Sequence, residues 1–242
     1  MSEILGYKIF GGSKDELLTT VFQKKDKVNI ISGNPEVLYN GLKDDQLQEN
    51  FNDDRSIIIP DGIGVVYTSK LLRDPVREKI AGIEVMEAII QRCDRDGKSI
   101  YLLGANQAVV ENCRSKLLDK YPKLHIAGIH NGYFDIDNCE SIIDEINAAS
   151  PEALFVAMGS PKQDKFITKY MQRLNVRIFM GVGGSFDVLA GKVNRAPKWM
   201  LKCNLEWLYR VYKEPFRIKR LGAIPKFMWM ALTDRRNCDS KK

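Results

Sequence analysis

The sequence predicts an α/β fold: an open, mostly parallel sheet covered by helices, with a basic, aromatic helical appendage near its C-terminal end. Three observations carry this. Short runs that are apolar at every position alternate with helical stretches. Small, polar loops follow each run. From Pro197 onward strand signals stop, and all three tryptophans (Trp199, Trp207, Trp229) lie beyond it.

The strand candidates in chain order are Val28–Ile31, Ser56–Ile59, Ser99–Leu103, Leu124–Ile129, Ala153–Met158 and Arg177–Val182. Parallel strands covered on both faces by helices read as such unbroken apolar runs. Helical stretches fall between them. Gln107–Lys120 places Val109, Val110, Cys113, Leu117 and Leu118 at three- and four-residue spacing, and Cys139–Ala149 and Gln163–Leu174 follow the same pattern. This alternation implies right-handed crossovers and a Rossmann-like, mostly parallel sheet. Beyond Pro197 the pattern is helical, with expected breaks at Pro215 and Pro225. The division is therefore a body over residues 1–194 and an appendage over 195–242.

Composition narrows the class. Hydrophobic residues make up 44% of the 242 and charged residues 28%, the balance of a globular chain with a sizeable core. No apolar run approaches the ~18–20 residues of a membrane-spanning helix. The opening MSEILGYKIFGG lacks a basic-then-apolar leader, so a cytoplasmic protein is expected. Five cysteines form no CxxC pair, which fits reduced thiols. The net charge of +6 is unevenly placed: residues 195–242 hold 13 Lys and Arg against 4 Asp and Glu, leaving the body at −3. A basic, aromatic tail suits an anionic surface, nucleic acid or lipid, although a helical pair packed on the body explains it too.

Ligands of an open parallel sheet bind beyond the carboxyl ends of its strands. There this sequence places Ser32-Gly33-Asn34-Pro35, Pro60-Asp61-Gly62, Gly104-Ala105-Asn106, Asn131-Gly132-Tyr133-Phe134, Gly159-Ser160-Pro161-Lys162-Gln163 and Gly183-Gly184-Ser185-Phe186-Asp187. Their glycines and helix N-termini suit a phosphate-bearing ligand, with Gly104, Asn106, Gly132, Tyr133, Gly159, Pro161, Gly183, Gly184 and Asp187 as candidate contacts. Taken singly, each loop reads first as turn chemistry, and it is the recurrence of polar groups on one edge that points to a ligand. Gly104-Ala105-Asn106 lacks the later glycines of GxGxxG, and there is no GxxxxGK(S/T). An oxidoreductase using a nucleotide cofactor therefore lacks its fingerprint. A nucleic-acid-binding protein accounts for the tail but not for the six loops, so no nucleic acid is expected.

Asp61, at the end of an apolar strand, is placed either as a general base or as the cap of the helix that follows. Ser32, Asn34 and Gln163 are hydrogen-bonding groups for sugar or diphosphate, or loop braces. His125 and His130 read as structural. Asp135–Asp137 is the one DxD spacing on the correct edge, and alone it does not make a metal site. No metal and no cofactor is expected.

These loops, with the GVGGSFDVLAGKVNRAP run over residues 181–197 and LEWLYRVYKEPFRIKR over 205–220, resemble the WecG/TagA/CpsF glycosyltransferase family from about residue 4 to 221. The resemblance implies an inverting enzyme, cytoplasmic and peripheral on the inner face of the cell membrane. It would move N-acetylmannosamine from UDP to GlcNAc-diphospho-undecaprenol in wall teichoic acid or related surface-polysaccharide synthesis. Relatives transferring other hexoses leave the donor sugar open, and the oligomeric state, a homo-oligomer included, is open as well. Carried over by position, the base falls on Asp61, the Thr-x-Asn pair on Ser32 and Asn34, and the PKQ glutamine on Gln163. An active-site basic residue falls on Lys79, and the tail arginines on Arg210, Arg217 and Arg220. Ser32 for Thr and Lys79 for Arg are departures that keep a hydroxyl and a positive charge but lose the bidentate fork.

Overall fold

The computed structural model describes residues 2–197, 199–200, 205–213 and 222–234, with the backbone alone at 210 and 223. Eight strands form one sheet in the order β1-β2-β4-β3-β8-β7-β5-β6. The six predicted strands are all present: β3 (Val28–Gly33), β4 (Ser56–Pro60), β5 (Ser99–Gly104), β6 (His125–His130), β7 (Ala153–Ala157) and β8 (Ile178–Gly181). They pair in parallel throughout. The sheet gains an N-terminal hairpin, β1 (Ser2–Ile4) and β2 (Tyr7–Ile9), whose antiparallel pair extends the β4 edge. Its turn places Leu5 and Gly6 at φ of 55° and 80°.

Strand side chains alternate between two faces. In β5, Ile100 and Leu102 join the core beneath α1 (Lys14–Gln23), α5 (Gly82–Asp96) and α6 (Gln107–Lys120), through Leu17, Met86, Ile90 and Val110. Tyr101 and Leu103 point the other way, into the core under α7 (Glu140–Ala149) and α8 (Lys162–Tyr170), with Ile142, Ile146 and Phe166. On that second face, nearer the hairpin, α2 (Pro35–Gly41), α3 (Asp45–Asn52) and α4 (Ile63–Leu71) cover Ile31 and Ile58 through Leu38, Phe51 and Val65. α9 (Ser185–Leu189) follows β8. At 0% exposure, Phe155 and Phe179 sit at the centre, which explains why these strands carry no polar alternation.

Among the described residues beyond 200 lie the helices α10 (Glu206–Lys213) and α11 (Ala223–Thr233). The sequence-based division assigns both to the appendage. α11 nevertheless packs on α2 and α4, and its Phe227 and Ala231, both fully buried, complete the core around Leu38 and Val65. Pro225 does not break this segment as expected. It falls in the first turn of α11, where a missing N–H costs no helical hydrogen bond. Pro215 lies outside the described residues. Among the described residues, no helix is long and apolar enough to cross a membrane. Cys93, Cys113 and Cys139 are buried free thiols.

Candidate active site

A cleft of about 500 Å³ opens at the carboxyl edge of the sheet, within the size range of small-molecule sites. It is built from four adjacent strand ends, those of β4, β3, β8 and β7. Ser32, Asn34, Asp61, Gln163 and Lys79 all line it, together with the backbone of Gly159, Gly183 and Gly184 and with Asp187.

Local chemistry positions each of them. Asn34 caps α2: its Oδ1 accepts from the N–H groups of Glu36 and Val37 at 3.0 Å, and Pro35 starts the helix. With the carbonyl oxygen so used, the amide NH2 is what Asn34 can offer a ligand. Asp61 follows β4, its N–H shared between the carbonyls of Gly33 (3.1 Å) and Ile59 (2.8 Å). Gly62, not Asp61, occupies the N-cap position of α4, and Asp61 lies one residue before it. Half-buried, Asp61 lines the cleft. Lys79 is brought beside it by the chain's return to β4, where the Ile80 N–H donates to the Pro60 carbonyl at 3.0 Å.

Gln163, 5% exposed, lies across the end of β8. Its Oε1 accepts from the Gly183 N–H at 3.0 Å, and a side chain on Gly181 would meet its Nε2 at 2.6 Å. Gln163 thus fixes the glycine loop. Next to it, burial raises the Asp164 carboxyl from an ordinary 3.8 to about 6, against hydrogen bonds from Ser160 and Gln163 that favour ionisation. Among the described residues its Oδ2 has no hydrogen-bond partner. Asp187 pairs with Lys192 at 3.2 Å.

Three residues that the sequence did not assign to the site line it as well. Gly82 opens α5 against Ser32 and Asp61: a β-carbon there would stand 2.4 Å from Ser32 Oγ and 3.0 Å from Asp61 Oδ2. Both oxygens thus converge on one point that only glycine leaves open. Glu206 and Trp207 reach the cleft from α10, and Glu206 lies 3.9 Å from Lys79. No periodicity marks Gly82, and an acidic residue in a basic tail reads as part of a solvated face.

Other predicted contacts sit elsewhere. Gly104, Asn106, Gly132, Tyr133 and Pro161 are not among the residues lining the cleft. The Gly104 and Gly132 loops pack on each other, with the Gly132 N–H donating to the Ala105 carbonyl at 2.8 Å, and Tyr133 is 80% exposed. Lys162 braces the same region by donating to the carbonyls of Gly132 (3.0 Å) and Phe134 (2.8 Å). Pro161 precedes α8. Asp137 is paired with Lys169 at 2.6 Å, and among the described residues no group of three His, Cys, Asp or Glu side chains could hold a metal ion. Arg210 falls in α10, with only its backbone described, while Arg217 and Arg220 lie outside the described residues.

Comparison with known proteins identifies the family. The chain is 37% identical over 204 residues to the N-acetylglucosaminyldiphosphoundecaprenol N-acetyl-beta-D-mannosaminyltransferase of Bacillus subtilis (strain 168), covering 84% of this chain and 78% of that one. Proteins of the same name from Bacillus spizizenii and Staphylococcus aureus (strain MW2) are 33% and 34% identical over 220 residues. Those matches cover 91% of this chain and 84% and 85% of the relatives. The glycosyl transferase WecG/TagA/CpsF family model matches residues 2–241, which takes the likeness past residue 221 and through α11. With its cleft, its strand-end loops and its last described helix all inside that match, the chain belongs to the WecG/TagA/CpsF family of glycosyl transferases.

Proposed function

We propose that this chain transfers N-acetylmannosamine from UDP to GlcNAc-diphospho-undecaprenol, with inversion at the anomeric carbon. The observation that carries the reading is the convergence of Ser32, Asp61, Lys79 and Gln163 in one cleft, in a chain over 30% identical to transferases of that name. Asp61 accepts the proton of the attacking acceptor hydroxyl, and Ser32, beside it at Gly82, orients that hydroxyl. Attack comes from the face opposite UDP, so configuration inverts. Negative charge grows on the departing diphosphate. Lys79 offsets it together with the N–H groups of the loops after β7 and β8, and Arg210, Arg217 and Arg220 are assigned to the same task. Asp187 and the glycines of the Gly183-Gly184 loop hold the nucleotide.

The acceptor's lipid stays in the bilayer, so the enzyme meets it at the inner face of the membrane. Exposed apolar side chains support this. Among the described residues, every large exposed hydrophobic except Leu118 and Tyr133 lies on α4 or beyond residue 198. Tyr67 and Leu71 on α4 and Trp229 and Leu232 on α11 belong to helices that touch each other, with Lys70 and Lys226 among them. Aromatic and basic side chains side by side suit a headgroup boundary.

The test is an assay of UDP-sugars against a short-chain GlcNAc-diphospho-lipid acceptor. Transfer from UDP-N-acetylmannosamine above all other donors is the expected result. Preference for UDP-glucose would move the chain to another donor within the family, and no transfer from any UDP-sugar would refute the reading.

A further inference from the structure

Among the described residues lining the cleft, Lys79 is the only lysine or arginine, against the carboxylates of Glu36, Asp61, Asp187 and Glu206. A nucleotide diphosphate entering here brings further negative charge. Its one cationic counterpart in that wall already faces a carboxylate: Lys79 Nζ lies 3.9 Å from Glu206 Oε2, with both side chains mostly buried. Charges shielded from water in this way interact more strongly than an exposed surface pair. The separation is nevertheless longer than a direct charge-assisted hydrogen bond of ~2.8 Å, so the ammonium keeps donors to give. Glu206 also comes from α10, an element outside the sheet and its crossovers, whereas Lys79 is tied to β4 through Ile80.

We propose that Glu206 is a positioning residue that holds Lys79 in the cleft and is exchanged for the donor's diphosphate, so that nucleotide binding and the seating of α10 are coupled. The inference rests on the UDP-sugar reading of the cleft. It adds that the appendage helix competes with nucleotide for one cation, and so sets the donor affinity from outside the sheet. Arg210 lies four residues further along the same helix, so release of Glu206 changes the placement of the segment that carries it. Coupling of this kind is a difference in affinity between two arrangements of one element.

Calorimetric titration of the full chain with UDP tests this through a double-mutant cycle. Glu206→Gln is expected to tighten UDP binding by about three- to tenfold, because the diphosphate no longer displaces a carboxylate. Lys79→Gln weakens it by about tenfold or more. In the Lys79→Gln background, Glu206→Gln should gain less than about twofold. Turnover gives a second readout: the donor KM falls in Glu206→Gln while kcat does not rise. Glu206→Asp keeps the charge with a shorter reach, and an intermediate UDP affinity is expected. It keeps the test usable if the glutamine variant melts early. An equal gain in both backgrounds would mean that Glu206 repels nucleotide directly, and no gain would mean that it does not compete for Lys79. Either result overturns the proposal. Failure of the unaltered chain to bind UDP refutes the transferase reading itself, and is told apart because it appears before any substitution.

Discussion

The loops after β3 and β5 are made from the same parts: a glycine at the strand's end, an asparagine just beyond it, and a helix that the asparagine caps. Asn34 Oδ1 accepts from the N–H groups of Glu36 and Val37, and Asn106 Oδ1 accepts from the Val109 N–H at 2.9 Å. Yet Asn34 lines the cleft, whereas Asn106 is exposed and away from it. The difference is position in the sheet. β3 lies between β4 and β8, so three neighbouring strand ends deliver Asp61 and the Gly183-Gly184 loop to its side. β5 is separated from β8 by β7, and its loop turns instead toward β6, where the Asn131 amide donates to Gln107 Oε1 at 3.3 Å. Strand-end glycine and asparagine mark turn and cap chemistry in both places. Convergence of neighbouring strand ends is what brings one of them into the cleft.

Substitutions on the two sides should therefore separate. The largest effect is expected from Asp61→Asn, which keeps shape but cannot take a proton: kcat should fall by about 10²–10⁴ while UDP binding persists. Near-normal kcat would remove the base from the cleft side and erase the contrast. Next comes Gly82→Ala. Its methyl group would meet Ser32 Oγ at 2.4 Å, and overpacking of this kind costs ~1–3 kcal/mol, about ten- to hundredfold in kcat/KM if felt at the reacting groups. Full activity there would show that Ser32 and Asp61 tolerate separation.

A stability effect follows at Asp164. Its folded-state value near 6 exceeds the ordinary 3.8, so the stability it contributes is full below about pH 4 and is lost as the pH rises through 6. Asp164→Asn should flatten that slope and leave the chain about 2–3 kcal/mol more stable at pH 7. Urea melts of both forms at pH 4, 6 and 8 measure it, and parallel curves would place the charge in water. The smallest and most pointed test is the asparagine pair. Losing either cap should cost ~1 kcal/mol of stability, but only Asn34→Ala should also slow transfer. Equal activity in the two variants would break the comparison outright.

Deletion beyond residue 195 is a less clean separation of body from appendage than the charge pattern implied. It would strip Phe227 and Ala231 from the core under α2 and α4, and so would lower stability. The basic, aromatic composition of the tail masked this, because an apolar helical face that covers a core and one that meets lipid have the same spacing. Asn34 and Gln163 show the related ambiguity inside the body. Each was legible both as a ligand contact and as a brace, and each uses its side-chain oxygen as a brace while lining the cleft.

The six parallel strands, their helical crossovers and the carboxyl-edge location of the site follow from the sequence by itself, because unbroken apolar runs and the handedness of crossovers leave few arrangements. The β1–β2 hairpin was out of reach: two three-residue strands around Leu5-Gly6 carry too little pattern, and only docking on β4 makes them strands. Gly82 as the open point between Ser32 and Asp61, and Glu206 opposite Lys79, were likewise decided by tertiary structure alone. Each depends on groups separated by tens of residues meeting within about 4 Å. Periodicity reports which face of an element is buried, whereas these meetings depend on strand order and on where α10 comes to rest, which no local pattern encodes.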